Sequence, residues 1–340
     1  MNKLKVVSNV SKGKWSEFIL EHPKKNPFQT PEMLDVLEKA EYYSFIFLAV
    51  IDKDDCIQGV LLAQLQKDFK GLLGKFTARS IIWGGPLVRE DDDIITELIL
   101  NEYNKIAKKK AIYTQFRNLR QVLNKDIFLK SGFVYEEHLN ILVNLSITED
   151  NLWKSIKKSR KEGIRKALRN DLIFEVISCN GNVNPFYILL KNTFDSVKKP
   201  FPKSDFFVGI GKFYHAKEVK LFQLKKDDTI IASLLAFVYN NCIYAYYIGT
   251  NREHKYFLMR PIDLLYWEVM RWGVNNGIKI FDWMGAGKPD VEYGVRKFKL
   301  QYGGELLELG RFEKIHKPNL MRLGKFGLKI MQKMNSIMGS

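Results

Sequence analysis

The sequence predicts an α/β protein made of two tandem copies of one unit, each a mixed, mostly antiparallel sheet flanked by helices. Three observations lead there. First, the pattern KDDxIxxxLLA occurs twice, starting at Lys53-Asp54-Asp55 and at Lys226-Asp227-Asp228. Each copy lies between two apolar runs, which reads as strand, tight acidic turn, strand. Second, the helix-like stretch 102–110 leads into Ala111-Ile112-Tyr113-Thr114-Gln115-Phe116. In the same way 268–276 leads into Gly277-Ile278-Lys279-Ile280-Phe281-Asp282. Third, FLKSGF (128–133) and FKLQYGG (298–304) come next in their respective halves. Three landmarks in one order at nearly one offset mark a duplication.

The units expected are 1–146 and 147–312, joined at the charged segment 146–151. A tail follows from Glu313. In residues 319–340, Arg322, Lys325, Lys329 and Lys333 fall on one helical side. Leu323, Phe326, Ile330, Met334, Ile337 and Met338 fall on the other. An amphipathic helix over 313–340 is expected to pack on the first unit; the other reading is a peripheral contact with anionic lipid.

Composition bounds the function. The chain has 340 residues, 46% hydrophobic and 27% charged, the balance of a globular protein rather than a disordered one. No apolar run reaches the roughly 18–20 residues of a membrane helix. Residues 1–15 carry lysines but no apolar core, so no signal peptide is expected. Cys56, Cys179 and Cys242 are far apart, which argues against a disulfide framework or a Cys-based zinc site. A cytoplasmic location is expected, with the tail at the inner face of the plasma membrane as the variant reading. Lys plus Arg is 54 against 38 for Asp plus Glu, a net charge of +16. Such a surplus suits a polyanionic partner: nucleic acid, a pyrophosphate-bearing substrate, or an anionic membrane.

The charge is densest in residues 153–169, WKSIKKSRKEGIRKALR, read as one helix. Trp153, Ile156, Ile164, Ala167 and Leu168 form its apolar stripe. Lys154, Lys158, Lys161 and Arg165 lie on the exposed side as candidate tRNA or phosphate contacts; the alternative is a solvated linker helix. His22, His138, His215, His254 and His316 share no metal-ligand spacing, so no metal is expected. No nucleophile elbow, Walker loop or clean GxGxxG follows a strand.

Candidate chemistry concentrates in 279–311. Ile280-Phe281-Asp282-Trp283 reads as a buried strand ending in a carboxylate, followed by the glycine-bearing loop 284–289. Ligands commonly bind at such strand ends. Lys288, Tyr293, Arg296, Phe298 and Tyr302 are candidate substrate contacts around it, and a lysine beside an aromatic residue can stabilise an oxyanion or phosphate. Trp83, which leads into Gly84-Gly85-Pro86, and the strand tyrosines Tyr246 and Tyr247 complete the set.

These segments together resemble the FemABX-type family of tandem acyltransferases, in which each half has the fold of GNAT N-acyltransferases. The matching pieces are Pro27-Phe28-Gln29-Thr30-Pro31-Glu32-Met33, Trp83-Gly84-Gly85-Pro86, Ile164-Arg165-Lys166-Ala167, Thr193 with Lys199-Pro200-Phe201, and Tyr247-Ile248-Gly249-Thr250. The strongest is Phe281-Asp282-Trp283-Met284-Gly285-Ala286 followed by Tyr293-Gly294-Val295-Arg296-Lys297-Phe298-Lys299 and Gly303-Gly304. The resemblance implies two tandem GNAT-like domains and no bound cofactor. It implies transfer of an aminoacyl group from aminoacyl-tRNA to an amine of a sugar-pyrophosphate or lipid-linked peptidoglycan precursor. The alternative is an acyl-CoA-dependent N-acyltransferase acting on a nucleotide sugar or envelope polysaccharide. Lys299 matches the family's catalytic lysine and is expected to stabilise the oxyanion; Asp282 is expected to position or deprotonate the amine. Two positions depart from the family pattern: Leu37 and Ser196 stand where basic residues are usual.

Overall fold

The structure, a computed structural model, describes residues 4–69, 74, 76–179, 182–196 and 201–323. It divides into two compact units, Met1–Glu136 with Gly310–Ser340, and Glu137–Leu309. Among the described residues, no helix is long and apolar enough to cross a membrane.

The first unit runs β1 (Lys5–Val7), α1 (Lys12–Glu21), α2 (Pro31–Lys39), β2 (Tyr43–Ile51), β3 (Ile57–Gln66), β4 (Arg79–Trp83), β5 (Leu87–Val88), α3 (Asp93–Lys110), β6 (Tyr113–Arg117), α4 (Lys125–Lys130) and β7 (Val134–Glu136), and is completed by β15 (Arg311–Ile315). The strand order is β1-β2-β3-β4-β6-β15-β7, with β5 on β3. Alternation puts Ile46, Leu48, Val50, Leu61 and Ala63 on the face that packs against Ile95, Ile99 and Tyr103 of α3. The expected acidic hairpin turn forms: the Asp52 carboxylate accepts the N–H groups of Asp54 and Cys56 at 3.0 Å, and Asp55 takes a left-handed φ of 57°. The PFQTP segment has a structural cause. Between the stretches of β3 that pair with β4 and β5, the Gln29 amide accepts from Leu62 N and donates to the carbonyls of Leu62 and Trp83. It thus satisfies backbone groups that no strand reaches.

The second unit runs β8 (Leu139–Asn144), α5 (Glu149–Ser155), α6 (Lys158–Leu168), β9 (Ile173–Ser178), α7 (Asn184–Ser196), α8 (Ser204–Phe213), β10 (Val219–Lys226), β11 (Thr229–Tyr239), β12 (Cys242–Thr250), α9 (His254–Phe257), α10 (Pro261–Asn275), β13 (Ile280–Asp282), α11 (Gly294–Lys299) and β14 (Glu305–Glu308). Its sheet order is β14-β8-β13-β12-β11-β10-β9. Read from β9, this repeats the first unit strand for strand. A first edge strand and two helices precede a three-strand meander. A long helix then crosses to a parallel strand, and an antiparallel strand is inserted before the last edge. α10, with Leu264, Leu265, Val269 and Met270, buries one sheet face. α7 covers the other so closely that a Cβ on Gly249 would lie 2.5 Å from the Leu190 nitrogen. Thr193 fastens that contact: its hydroxyl donates to Leu189 O and accepts from Thr250 N, both at 2.9 Å.

Three expectations are corrected. The boundary at 146 would leave Leu139–Asn144 in the first sheet, but β8 is the inserted strand of the second, flanked by β13 and β14. Conversely, residues 311–315 are the inserted strand of the first sheet, so the tail helix does not begin at 313. Residues 318–323 are helical; 324–340, and with them most of the amphipathic pattern, lie outside the described residues, as do Lys199 and Pro200. Finally, 153–169 is two helices. Ile156 caps α5 in an extended conformation, and the Lys157 N–H leaves the helix to donate to Gln301 O at 2.9 Å. Ile156, Ile164 and Ala167 are buried as the stripe requires, but Leu168 is 54% exposed.

Candidate active site

The parallel strands β12 and β13 pair over only three residues, Cys242–Tyr244 against Ile280–Asp282. Beyond them β12 runs on to Thr250 without its neighbour, so the sheet opens at the C-terminal ends of both strands. A bulge marks the opening. Leu235 pairs with Tyr247 and Ala236 with Ala245, leaving Tyr246 as the extra residue. Tyr246 and Tyr247 are ring neighbours at 4.6 Å and pack against Phe237 and Phe207 respectively.

At the end of β13 the chain folds a loop whose carbonyls hold Lys299. Its Nζ donates to Trp283 O at 2.8 Å and Gly285 O at 2.6 Å. It also lies 5.7 Å from the Trp283 ring centroid. α11 ends at this lysine, and Phe298 beside it packs on Tyr266, Trp283 and Tyr302. Burial holds the Lys299 ammonium down at a pKa of about 8, with the charge of Asp282 acting the other way. An ammonium has three N–H donors; among the described residues two are engaged by the loop, and a third could donate to a bound oxygen.

The loop is itself built by side chains. Asp282 is completely buried; its Oδ1 accepts from Met284 N at 2.7 Å and from Asn140 Nδ2 at 2.9 Å. Asn140 Oδ1 in turn accepts from Gly285 N at 2.8 Å. The Arg296 guanidinium donates to the carbonyls of Ala286, Lys288, Pro289 and Val291. The Tyr293 ring lies against Gly287. Asp282 and Arg296 therefore shape the loop that holds Lys299. Tyr302 is fully buried, with its hydroxyl 3.2 Å from Asp263 Oδ1. Lys288 is exposed on the loop. Trp83 belongs to the first unit, where it stacks on Phe28 at 5.5 Å and carries the Arg117 guanidinium at 4.7 Å.

Of the candidate phosphate contacts, Lys154, Lys158 and Arg165 are exposed. Lys161 is half-buried and donates to Lys154 O. Arg165 and Lys161 both lie over Trp153. Arg160, absent from that set, turns inward to pair with Asp263 at 2.6 Å and covers Phe298 at 5.1 Å. Asp263 sits in the first turn of α10, and burial raises its carboxyl pKa despite Arg160. The α6 backbone is so close that a Cβ on Gly163 would lie 2.1 Å from Asp263 Oδ2. Asn140 and Arg160 were not found from sequence. Asn140 stands about 140 residues from the loop it ties, and Arg160 is one of eight basic residues in a segment whose kink decides which one turns in. Among the described residues, no cluster of three or more His, Cys, Asp or Glu could hold a metal ion.

Residues 198–299 match the acetyltransferase (GNAT) domain family. Comparison with curated protein sequences finds no match. Among solved structures the chain is similar to FemX, with 17% identity over 94% of this chain and 99% of that one and a TM-score of 0.67. It is also similar to L-PGS from Bacillus licheniformis, with 16% identity, 91% and 92% coverage and a TM-score of 0.55. A tandem GNAT protein from the clavulanic acid biosynthesis pathway shares 11% identity, with 93% and 99% coverage and a TM-score of 0.55. The duplicated sheet order, the opened second sheet and these likenesses together make this a tandem GNAT fold, similar to that of FemX.

Proposed function

We propose that the protein is an aminoacyltransferase that takes its acyl group from aminoacyl-tRNA and places it on an amine of a peptidoglycan precursor, either sugar-pyrophosphate or lipid-linked. The observation that carries the reading is Lys299: a half-buried cation at the mouth of an opened sheet, with two donors spent on fixed carbonyls and one left. The acceptor amine attacks the ester carbonyl, and Lys299 donates to the oxyanion of the tetrahedral intermediate. Collapse breaks the ester bond and expels the ribose hydroxyl, which takes up the proton lost by the amine.

The GNAT match over 198–299 supports acyl-CoA as the alternative donor. The start of α10 weighs against it. A diphosphate would use the free amides of a helix N-terminus, but here Pro261 supplies no N–H. The buried carboxylate of Asp263, paired with Arg160, already occupies the first turn. The net charge of +16 and the exposed Lys154, Lys158 and Arg165 favour a polynucleotide carrier.

The test is a transfer assay with radiolabelled aminoacyl-tRNA and acetyl-CoA in parallel, on sugar-nucleotide and lipid-linked precursors. Label arriving from tRNA, and lost in Lys299→Ala, is expected. Label arriving from acetyl-CoA alone would overturn the donor assignment.

A further inference from the structure

The end of the second unit that carries Lys299 also carries an exposed apolar, cationic surface. Phe257 and Leu258, between β12 and α10, are 56% and 47% exposed, while their chain neighbours Tyr256 and Met259 pack into the core. The end of the short α9 and its C-cap thus project two adjacent apolar side chains from a fixed base. Arg252, Lys255 and Arg260 flank them, all exposed. The one acid of the segment, Glu253, is paired with Lys255. α11 reaches the same end of α10: Phe298 packs on Tyr266, and Arg160 spans from Asp263 to Phe298. Before and within α11, Val291 and Val295 are 51% and 44% exposed, and Lys297 is exposed beside its partner Glu292.

We propose that this end of the second unit docks on an anionic lipid bilayer, with Phe257 and Leu258 entering the headgroup boundary and the surrounding cations facing lipid phosphates. The composition distinguishes this occupant from RNA. A nucleic acid gains from aromatic stacking and cations, but Leu258, Val291 and Val295 offer it nothing. A membrane interface uses aliphatic, aromatic and basic side chains together. The inference builds on the acyl-transfer reading in one respect: docking here favours the lipid-linked acceptor, because it brings the membrane to the Lys299 end of the sheet.

Vesicle binding is read without turnover, so it stands or falls separately from the chemistry. The experiment is co-sedimentation of the full chain with phosphatidylglycerol/phosphatidylcholine vesicles and with phosphatidylcholine alone, beside filter binding of bulk tRNA. The wild type is expected to sediment with the anionic vesicles. The double variant Phe257→Ser/Leu258→Ser is expected to bind them at least tenfold more weakly, with unchanged thermal unfolding and unchanged tRNA binding. Arg252→Glu is expected to reduce the preference for anionic vesicles several-fold. Equal vesicle binding by wild type and double variant, no binding by the wild type, or a loss confined to tRNA would each overturn the proposal.

Discussion

The two units share one strand order and differ where chemistry is possible. In the first, β4 and β6 stay paired through all five residues to Trp83 and Arg117, and Gly84 N then donates to Arg117 O at 3.0 Å. The Arg117 guanidinium over Trp83 covers that end. In the second, β12 and β13 part after three pairs and a bulge displaces Tyr246. The helix that follows tells the same story. Phe128-Leu129 of α4 occupies the place in the repeat that Phe298-Lys299 of α11 occupies in the other half, so the lysine has an aliphatic counterpart that is 45% exposed. One fold used twice keeps its packing in both copies and opens the sheet edge beside Lys299 in one.

The sharpest way to break this comparison is to mutate both counterparts. Lys299→Ala is expected to lower kcat by about 10²–10³-fold, the usual cost of losing an oxyanion donor, while Leu129→Ala leaves it within about twofold. Equal losses in steady-state transfer rates would abolish the asymmetry.

The second test concerns protonation. Lys299 is charged below its pKa of about 8 and neutral above it. If the ammonium serves the oxyanion, activity is present below pH 8 and falls as pH rises through it. Lys299→Arg, which stays charged, should move that alkaline limb upward even if kcat drops. A pH–rate profile that rises through pH 8 would instead make the neutral amine a base.

A smaller effect sharpens the role of the loop. Asn140→Ala removes the bonds to Asp282 and Gly285 and leaves Asp282 buried with fewer partners, a loss of about 1–3 kcal/mol in stability. With the loop loosened and Lys299 better hydrated, kcat should fall about tenfold and the alkaline limb should move up. A merely structural residue would lower the melting temperature and leave that limb in place.

Much of this arrangement was legible in the residues. The acidic hairpins, the long helix leading to a parallel strand and the FKLQYGG return follow from local periodicity and turn chemistry, which nearest neighbours largely decide. Residue types alone marked only the lysines beside aromatic residues in 279–311; it is the resemblance to the FemABX-type family that singles out Lys299 among them. What local pattern cannot carry is the choice among distant partners. The alternation in β8 suits either sheet equally, and nothing near Leu139 says which one receives it. The break between α5 and α6 comes from a tertiary acceptor, Gln301 O, taking the Lys157 N–H. Asp282 looked reactive because it ends a strand; its burial and its bond to Asn140 belong to a neighbour that only folding supplies.

The reciprocal placement of β8 and β15 has a bearing on synthesis. The strand between β6 and β7 arrives only when residues 311–315 have been made, so β7 has no partner through most of translation. The N-terminal half must therefore wait on the ribosome with a gap in its sheet, and a gene cut at the repeat boundary would strand each product with its sibling's segment. Long-range closure of this kind slows folding, and it falls on the first unit alone, because the second, Glu137–Leu309, is continuous and holds every strand of its own sheet.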